Sequence, residues 1–354
     1  MGDNPIRVSV IMPAYNAETT LFQAVESALR QTESRLEVLI IDDASTDGTV
    51  AIAEALATRD TRVRILRQRS NRGPAAARNR GLAEAAGTWI ALLDADDEFS
   101  PERLETLLAM GESHAADTVA DNLLLCPAGD ATHATPMISV KALPAAKWMS
   151  AAEFVTGNIG SRFTPRISYG FMQPMIRQDF LKRHGLLYNE RNRFGEDYLF
   201  ALNLLLCGAR WWITPAAMYR YRVQSGTLTE VQSAADLMRI RQFEDRLLRT
   251  HPMVASNPAL ASALHRHKRV IEHFYHYRAF TDALKASQFK PAARLLLQSL
   301  SGFRHIMTES MLQAPRVMLK ALRGGFRHPP GQVALSAALG LPPNTGTSSA
   351  IARK

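Results

Sequence analysis

The chain has 354 residues, of which 46% are hydrophobic and 21% charged, the balance of a globular protein with a buried core. It has no signal-peptide pattern and no apolar run of the roughly 18 residues that a spanning helix needs, so we expect a protein not integral to a membrane. Two cysteines, Cys126 and Cys207, exclude a disulfide framework and a Cys-x-x-Cys metal site, and fit a reduced, cytoplasmic setting.

The net charge of +9 is unevenly distributed along the chain. Residues 1–230 hold 24 Lys and Arg against 27 Asp and Glu, whereas residues 231–354 hold 18 against 6. We therefore predict a domain over 1–230, a basic helical extension over 231–330 and a disordered tail over 331–354, which is rich in Pro, Gly, Ser and Thr. The basic excess indicates an anionic partner, either lipid headgroups or nucleic acid.

The first hundred residues alternate between β-branched runs and helical patterns. Short links join the segments in the order strand, helix, strand, helix, strand, helix, strand. This order predicts a parallel, doubly wound sheet covered by helices. The predicted strands cover 7–12, 37–41, 63–66 and 89–93, and the predicted helices cover 21–29, 49–58 and 74–86.

Distinctive loops follow three of these strands, after Met12, Ile41 and Leu93. In a doubly wound sheet such loops meet at one edge, where ligands bind. The third loop carries Asp94, Asp96 and Asp97. Carboxylates this close repel one another and need a cation, and hard oxygen ligands suit Mg²⁺ or Mn²⁺. The alternative is an acidic turn that caps the following helix.

Later segments are less regular, but one of them carries a further acidic pair. Gly195-Glu196-Asp197-Tyr198 opens a helix, and its two carboxylates either complement the helix dipole or take part in chemistry. Strands are predicted over 118–125, 171–176, 210–214 and 218–221, and helices over 101–112, 150–156 and 178–184. Basic helices follow from about residue 237.

Histidines are frequent in the basic helices, but no group of carboxylates accompanies them in the sequence to complete a metal site. We therefore expect a solvated helix face rather than a metal site for His265, His267, His273 and His276. Other common nucleotide sites are missing, since the chain has neither Gly-x-Gly-x-x-Gly after its first strand nor a Walker-type loop. Phosphate recognition would then depend on a metal held by carboxylates.

With these elements placed, the chain resembles the family 2 glycosyltransferases, inverting enzymes with the GT-A fold. The resemblance covers residues 8 to about 225 and rests on five stretches in the family's order. They are Val-Ser-Val-Ile-Met-Pro-Ala-Tyr-Asn (8–16), Val-Leu-Ile-Ile-Asp-Asp-Ala-Ser-Thr-Asp-Gly-Thr (38–49), Asn-Arg-Gly-Pro-Ala-Ala-Ala-Arg-Asn-Arg-Gly (71–81), Leu-Leu-Asp-Ala-Asp-Asp (92–97) and Gly-Glu-Asp-Tyr (195–198). It implies an α/β, Rossmann-like GT-A domain with a mainly parallel sheet, followed by a C-terminal helical extension.

The resemblance also implies a role for each matching position. Asp43 would accept a hydrogen bond from the base, usually uracil. Asp94 and Asp96 would hold the ribose and, through Mg²⁺ or Mn²⁺, the diphosphate. Asp197 would be the catalytic base, with Glu196 beside it. The implied nucleotide-binding residues are Pro13, Ala14, Tyr15, Asp43, Arg78 and Asp94, with Arg78 either contacting the ligand or bracing its loop.

The expected enzyme is a metal-dependent glycosyltransferase of the hexosyltransferase type. It would move one sugar from a nucleotide sugar, usually a UDP-sugar, to a lipid-linked or cell-surface glycan by a single inverting displacement. A single addition is favoured because the Gln-x-x-Arg-Trp signature of processive synthases is absent. The basic extension predicts a cytoplasmic protein attached peripherally to the anionic inner face of the cytoplasmic membrane, with no nucleic-acid partner.

Two alternatives belong to other classes of protein. A sugar-phosphate nucleotidyltransferase would carry a glycine-rich loop after the first strand, and residues 13–20 contain no glycine. A non-enzymatic, basic nucleic-acid-binding protein would explain the C-terminal charge but not the acidic loops.

Overall fold

The computed structural model describes residues 5–127, 134–159, 168–223, 233–288 and 290. Within these residues the chain forms ten strands, ten α-helices and a 3₁₀ turn over Tyr169–Phe171. In chain order the elements are β1 (Val8–Ala14), α1 (Leu21–Leu29), β2 (Leu36–Asp42), α2 (Thr49–Arg59), β3 (Val63–Arg67), α3 (Pro74–Glu84), β4 (Trp89–Leu92), β5 (Glu98–Phe99), α4 (Arg103–Ser113), β6 (Thr118–Pro127), β7 (Thr135–Pro136), β8 (Lys147–Met149), α5 (Ala151–Gly157), β9 (Met175–Arg177), α6 (Gln178–His184), α7 (Glu196–Leu206), β10 (Trp211–Val223), α8 (Ala234–Thr250), α9 (Pro252–Ser256) and α10 (Pro258–Lys285).

One mixed sheet organises these elements, with the strand order β3-β2-β1-β4-β9-β6-β10-β5. Strands β3, β2, β1 and β4 are parallel to one another, and β6 is parallel to β10. The predicted doubly wound, mainly parallel arrangement is therefore confirmed. β9 enters antiparallel between β4 and β6, which the sequence analysis did not foresee.

The central strands are buried on both faces, as their continuous β-branched runs predict. Alternate residues of β1 pack into different cores, because side chains along a strand point to opposite faces. Val10 and Met12 join the core that α1 and α4 cover, whereas Ile11 joins the core that contains α3 and α7. The sheet is thus held rigidly between two helical layers, and the loops after its parallel strands lie at one edge.

The predicted and observed strands differ at two places, and a proline explains each difference. Of the predicted strand 171–176 only Met175 and Ile176 pair, in a strand that extends to Arg177, because Pro174 has no backbone N–H to donate. The two predicted strands 210–214 and 218–221 form one long strand, β10, whose register with β6 shifts between Ile213 and Ala217, around Pro215.

The C-terminal helices pack on the domain that carries the motifs. α10 lies against α8 and α5. Leu237, Ile240, Leu264 and Ile271 belong to the same core as the side chains of α7. No helix in the described part of the chain has the length and apolar character to cross a bilayer. The predicted tail over 331–354 and the boundary near residue 230 lie outside the described residues, so this division of the chain stays a prediction.

Candidate functional site

A pocket of about 670 Å³ lies at the carboxyl ends of β1, β2 and β4 and extends to the start of α7. Residues from many separate segments of the sequence line it, and these segments include the distinctive loops after β1, β2 and β4. The pocket contains every site residue predicted from the sequence: Pro13, Ala14, Tyr15, Asp43, Arg78, Asp94, Asp96, Glu196 and Asp197.

The loops after β1 and β2 form one end of the pocket and are fastened to each other. Asn16 adopts a left-handed conformation, with φ of 49°. Its backbone N–H donates to Ser45 Oγ at 3.0 Å, and its Oδ1 accepts from the Thr46 N–H at 2.9 Å. The neighbouring Tyr15 ring is half exposed and lines the pocket. An exposed ring held at a pocket mouth is a suitable stacking surface for a flat base.

Asp43 is buried and organises the turn into α3. Its Oδ1 accepts from the Arg72 N–H and from Gln68 Nε2, both at 2.8 Å, and its Oδ2 accepts from the Gly73 N–H at 2.7 Å. Gly73 has φ of 87°, a conformation that suits glycine. A carboxylate has about four acceptor positions, so these three bonds leave capacity for one ligand donor.

Arg78 connects three acidic residues from distant parts of the chain. Its Nη2 donates to Asp94 Oδ1 at 3.0 Å, and its Nη1 donates to Asp197 Oδ1 at 2.9 Å and to Glu196 Oε1 at 3.3 Å. The side chain is only 4% exposed. Burial opposes its charge, but Asp197, Asp94 and Glu196 outweigh that effect and raise the pKa of Arg78 well above its usual value. In this structure Arg78 braces the acidic groups of the site.

Close packing of α3 on β1 positions this arginine. Gly81, one turn further along α3, lies against Ile11, and a Cβ atom there would come within 2.4 Å of the Ile11 side chain. The absence of a side chain therefore lets the helix approach the strand, which brings Arg78 over the end of the sheet.

Glu196 and Asp197 occupy the first turn of α7, after Gly195 in a left-handed conformation. Burial raises the pKa of Asp197 to about 6, with Arg78 opposing the shift. Burial and the neighbouring Asp197 charge raise the pKa of Glu196 to about 8. A carboxyl whose pKa lies near neutrality is well matched to taking and releasing a proton.

The three aspartates after β4 have two different environments. Asp97 is buried and accepts from the Tyr219 hydroxyl at 2.9 Å and from the Arg222 N–H at 2.8 Å, which fastens the turn to β10. Asp94 and Asp96 instead line the pocket. Burial and the Asp94 charge raise the pKa of Asp96 to about 6.

The chemistry of this donor set fits a hard divalent cation. Among the described residues Asp96 accepts no side-chain hydrogen bond, and a cation would relieve its repulsion with Asp94. No cluster of three or more His, Cys, Asp or Glu side chains is arranged for metal binding in the described part of the chain. Two carboxylates would thus hold such an ion only together with phosphate and water, as Mg²⁺ usually is held.

The C-terminal helices provide a wall of the pocket that the sequence analysis missed. Ile240 of α8 and His267 and Ile271 of α10 line it. His267 is 4% exposed, so the expectation of a solvated face is wrong for this residue, although His265 is exposed as expected. Its partner is Glu244, on a different helix. Asn158 and Gln173 also line the pocket, and neither lies in a sequence pattern that marks it. Tyr198, which lines the pocket as well, belongs to the Gly-Glu-Asp-Tyr stretch but had no predicted role.

Several known proteins are similar in sequence to this chain. Residues 9–180 match the family model described as "Glycosyl transferase family 2". The chain is 30% identical over 332 residues to succinoglycan biosynthesis protein ExoO of Rhizobium meliloti, an alignment that covers 94% of this chain and 91% of that protein. It is 37% identical over 278 residues to succinoglycan biosynthesis protein ExoU of the same organism, covering 78% and 79%.

Among solved structures the chain is similar to residues 1–349 of S. aureus TarS in complex with UDP-GlcNAc. The TM-score is 0.61 at 19% sequence identity, and the alignment covers 84% of this chain and 92% of that one. A likeness at this identity concerns the fold alone. The expected fold, a GT-A domain of the α/β class followed by helices, is confirmed.

Proposed function

Because this chain belongs to glycosyl transferase family 2, we propose that it moves one sugar from a nucleoside diphosphate sugar to a glycan acceptor during cell-surface polysaccharide synthesis. One observation carries the proposal: Arg78 joins Asp94, at the end of β4, to Asp197, at the start of α7, in one pocket. The names of the two succinoglycan biosynthesis relatives support the polysaccharide, and the TarS complex supports a UDP-sugar donor.

The donor binds at the carboxyl ends of β1, β2 and β4. Pro13, Ala14 and Tyr15 contact the nucleotide, and the remaining acceptor capacity of Asp43 takes a hydrogen bond from the base. Asp94 and Asp96 would hold Mg²⁺ or Mn²⁺, and the bound cation would stabilise the negative charge that develops on the departing diphosphate.

Asp197 serves as the base. It takes the proton of an acceptor hydroxyl while the hydroxyl oxygen attacks the anomeric carbon and the bond from that carbon to the diphosphate breaks. One direct displacement inverts the configuration and needs no second nucleophilic carboxylate. Arg78 orients the Asp197 carboxylate and opposes the rise that burial imposes on its pKa, so that enough of it is ionised near neutral pH.

The acceptor is a lipid-linked or cell-surface glycan, and the protein works in the cytoplasm on the inner face of the membrane. The charge of the C-terminal residues supports this location, because residues 289–354 hold 9 Lys and Arg against 1 Asp or Glu. Anionic headgroups attract such a segment. Phe274 and Tyr275 of α10 pack against the protein core, so the membrane contact belongs to residues further along the chain.

The proposal is tested with the full chain and a panel of UDP-, GDP- and dTDP-sugars in Mn²⁺ or Mg²⁺. We expect at least one donor to raise the melting temperature, because ligands that bind the native state stabilise it, and to release its nucleoside diphosphate during turnover. Asp94→Asn should abolish both effects, whereas Asp179→Asn, an exposed first-turn aspartate on α6, should abolish neither. If no nucleotide sugar is bound or consumed, the proposal is wrong.

A further inference from the structure

A buried cluster of polar side chains adjoins the proposed catalytic helix, and the reaction described above does not use it. Glu244 Oε1 accepts a hydrogen bond from the Tyr198 hydroxyl at 2.7 Å and lies 2.6 Å from His267 Nδ1. Glu244 is 0% exposed and His267 is 4% exposed. The Tyr198 ring lies between Phe154 and His267, stacked on both. The cluster therefore ties α8 and α10 to the residue that follows Asp197.

The hydrogen bonds within this cluster leave one edge of the His267 ring for a ligand. With Nδ1–H donating to Glu244, the other ring nitrogen, Nε2, of a neutral His267 is an acceptor. His267 lines the pocket, and its Nε2 makes no hydrogen bond to another described residue. Glu244 Oε2 is buried and likewise lacks a hydrogen-bond partner there. Buried polar groups normally have partners, so these two atoms require partners that the described residues do not supply.

Apolar side chains complete this wall of the pocket. Ile240 of α8 touches the start of α7, because a Cβ atom on Gly195 would lie 2.7 Å from Ile240 Cδ1. Ile271 lies one turn beyond His267 on α10 and also lines the pocket. The wall thus combines branched aliphatic surface with one polar ring, which matches a sugar, whose faces carry C–H groups and whose rim carries hydroxyls.

We propose that His267, held by Glu244, binds a hydroxyl of the saccharide acceptor, while Ile240 and Ile271 pack on a face of the same sugar. The inference rests on the proposed function. The donor residues all lie at the ends of β1, β2 and β4, whereas this wall adjoins the helix that carries the proposed base. An acceptor hydroxyl must reach Asp197, so the acceptor's remaining hydroxyls lie near Tyr198 and its neighbour His267.

The experiment compares His267→Ala and His267→Gln with His265→Ala, a control on the exposed side of the same helix. Octyl glucoside, octyl galactoside and octyl N-acetylglucosaminide serve as acceptors, and release of nucleoside diphosphate from the donor is measured with and without them. We expect His267→Ala to raise the KM for the preferred glycoside about tenfold or more, the loss expected for one hydrogen bond. Donor Kd and donor hydrolysis in water should stay within about twofold of the wild-type values, well below that change.

His267→Gln keeps the volume and a polar end at the position of Nε2, so it should recover part of the loss. Glu244→Gln should raise the same KM, because it weakens the bond that orients the ring. An unchanged acceptor KM in His267→Ala overturns the inference. A loss of donor affinity as large as the loss of acceptor affinity, together with a lower melting temperature, also overturns it, because a merely structural role gives that result. Failure of every glycoside to accelerate donor turnover overturns it as well. Failure of the wild-type protein to bind or hydrolyse any donor refutes the proposed function instead.

Discussion

Arg78 Nη1 donates a hydrogen bond to Asp197 Oδ1 at 2.9 Å, across 119 residues of chain. The other terminal nitrogen of the same guanidinium donates to Asp94 at 3.0 Å. One side chain thus joins the carboxylate proposed to hold the metal ion to the carboxylate proposed to take the proton. Because Arg78 is 4% exposed, water screens these contacts little, and a change at one end should affect the other.

The bridge should depend on the shape of the guanidinium as well as on its charge. Arg78→Lys keeps the charge but presents one ammonium, which cannot reach Asp94 and Asp197 with fixed geometry. We expect turnover to fall about 10²-fold, a typical loss when a catalytic group is misplaced. Arg78→Met should also destabilise the fold by about 3–5 kcal/mol, because it removes the buried cation that pairs with one buried and two partly buried carboxylates. Urea unfolding and steady-state kinetics measure both effects, with Arg80→Lys as the control on the exposed face of α3.

Asp197→Asn should bind the donor normally and lose about 10²–10⁴ in turnover, the usual contribution of a general base. Asp197 works only after losing its own proton, and its pKa is raised to about 6, so the wild-type kcat/KM should rise with pH through that region and then level off. Asp179→Asn should keep the wild-type profile. Near-normal turnover of Asp197→Asn would mean that Asp197 only complements the helix dipole.

Glu196 should make the free protein less stable as the pH rises. The unfolded side chain ionises near its ordinary pKa of 4.5, whereas burial and the Asp197 charge raise the folded value to about 8. Between these values the folded state keeps a proton that the unfolded chain has lost, so the free energy of unfolding falls with increasing pH.

Glu196→Gln stays neutral and should flatten this dependence. Urea unfolding at pH 5 and pH 8, in the presence of a chelator, tests it. Glu54→Gln, at an exposed position on α2, should retain the wild-type slope. A wild-type slope in Glu196→Gln would contradict the assignment.

Asp96 and Asp97 are neighbours in sequence but should respond differently to substitution. Asp96→Asn removes a repelled carboxylate, so it should abolish Mn²⁺-dependent donor binding without lowering stability. Asp97→Asn weakens the acceptor that holds Tyr219 and Arg222 and should lower stability by about 1–3 kcal/mol. Calorimetric titration of donor with Mn²⁺ and thermal unfolding separate the two outcomes. Undiminished Mn²⁺-dependent binding in Asp96→Asn would exclude it as a ligand.

Gly195→Ala should damage the site through the contact between α7 and α8. The new Cβ atom would meet Ile240 Cδ1 at 2.7 Å, and φ of 72° disfavours any side chain there. We expect a loss of about 1–3 kcal/mol in the free energy of unfolding and a lower kcat. Adding Ile240→Ala relieves the clash but not the backbone strain, so the double variant should recover only part of the stability. Full recovery in the double variant would show that the backbone strain is absent. No effect of Gly195→Ala would show that neither the clash nor the strain destabilises the fold.

The basic C-terminal residues should bind anionic membranes. The full chain should co-sediment with vesicles that contain phosphatidylglycerol but not with pure phosphatidylcholine, and rising salt should release it. Replacing Arg316, Lys320, Arg323 and Arg327 by Ala should weaken this binding while leaving donor turnover unchanged. Equal binding to both kinds of vesicle would refute electrostatic docking and leave the transferase proposal intact.

Apart from the two-residue strand β5, the sequence predicted the elements up to residue 125 well, because each one depends on local information. Apolar periodicity, glycine and proline positions and the capping of helices are properties of neighbouring residues. The short βα links then restrict the topology of the parallel half of the sheet to very few forms. The same logic placed the distinctive loops after β1, β2 and β4 at one edge, and the structure brings them into one pocket.

The cluster of Glu244, His267 and Tyr198 could not be inferred in this way. The first two residues are 23 positions apart on different helices, and the third is 46 positions before Glu244. Similarly, the sequence left open whether Arg78 meets the ligand or braces its loop, and the structure adds the contact with Glu196 and Asp197. Local patterns determine which segments become strands and helices, and which chemical groups end each strand. Only packing in three dimensions decides which groups from distant segments meet, because burial brings them together and the loss of water then makes their pairing energetically decisive.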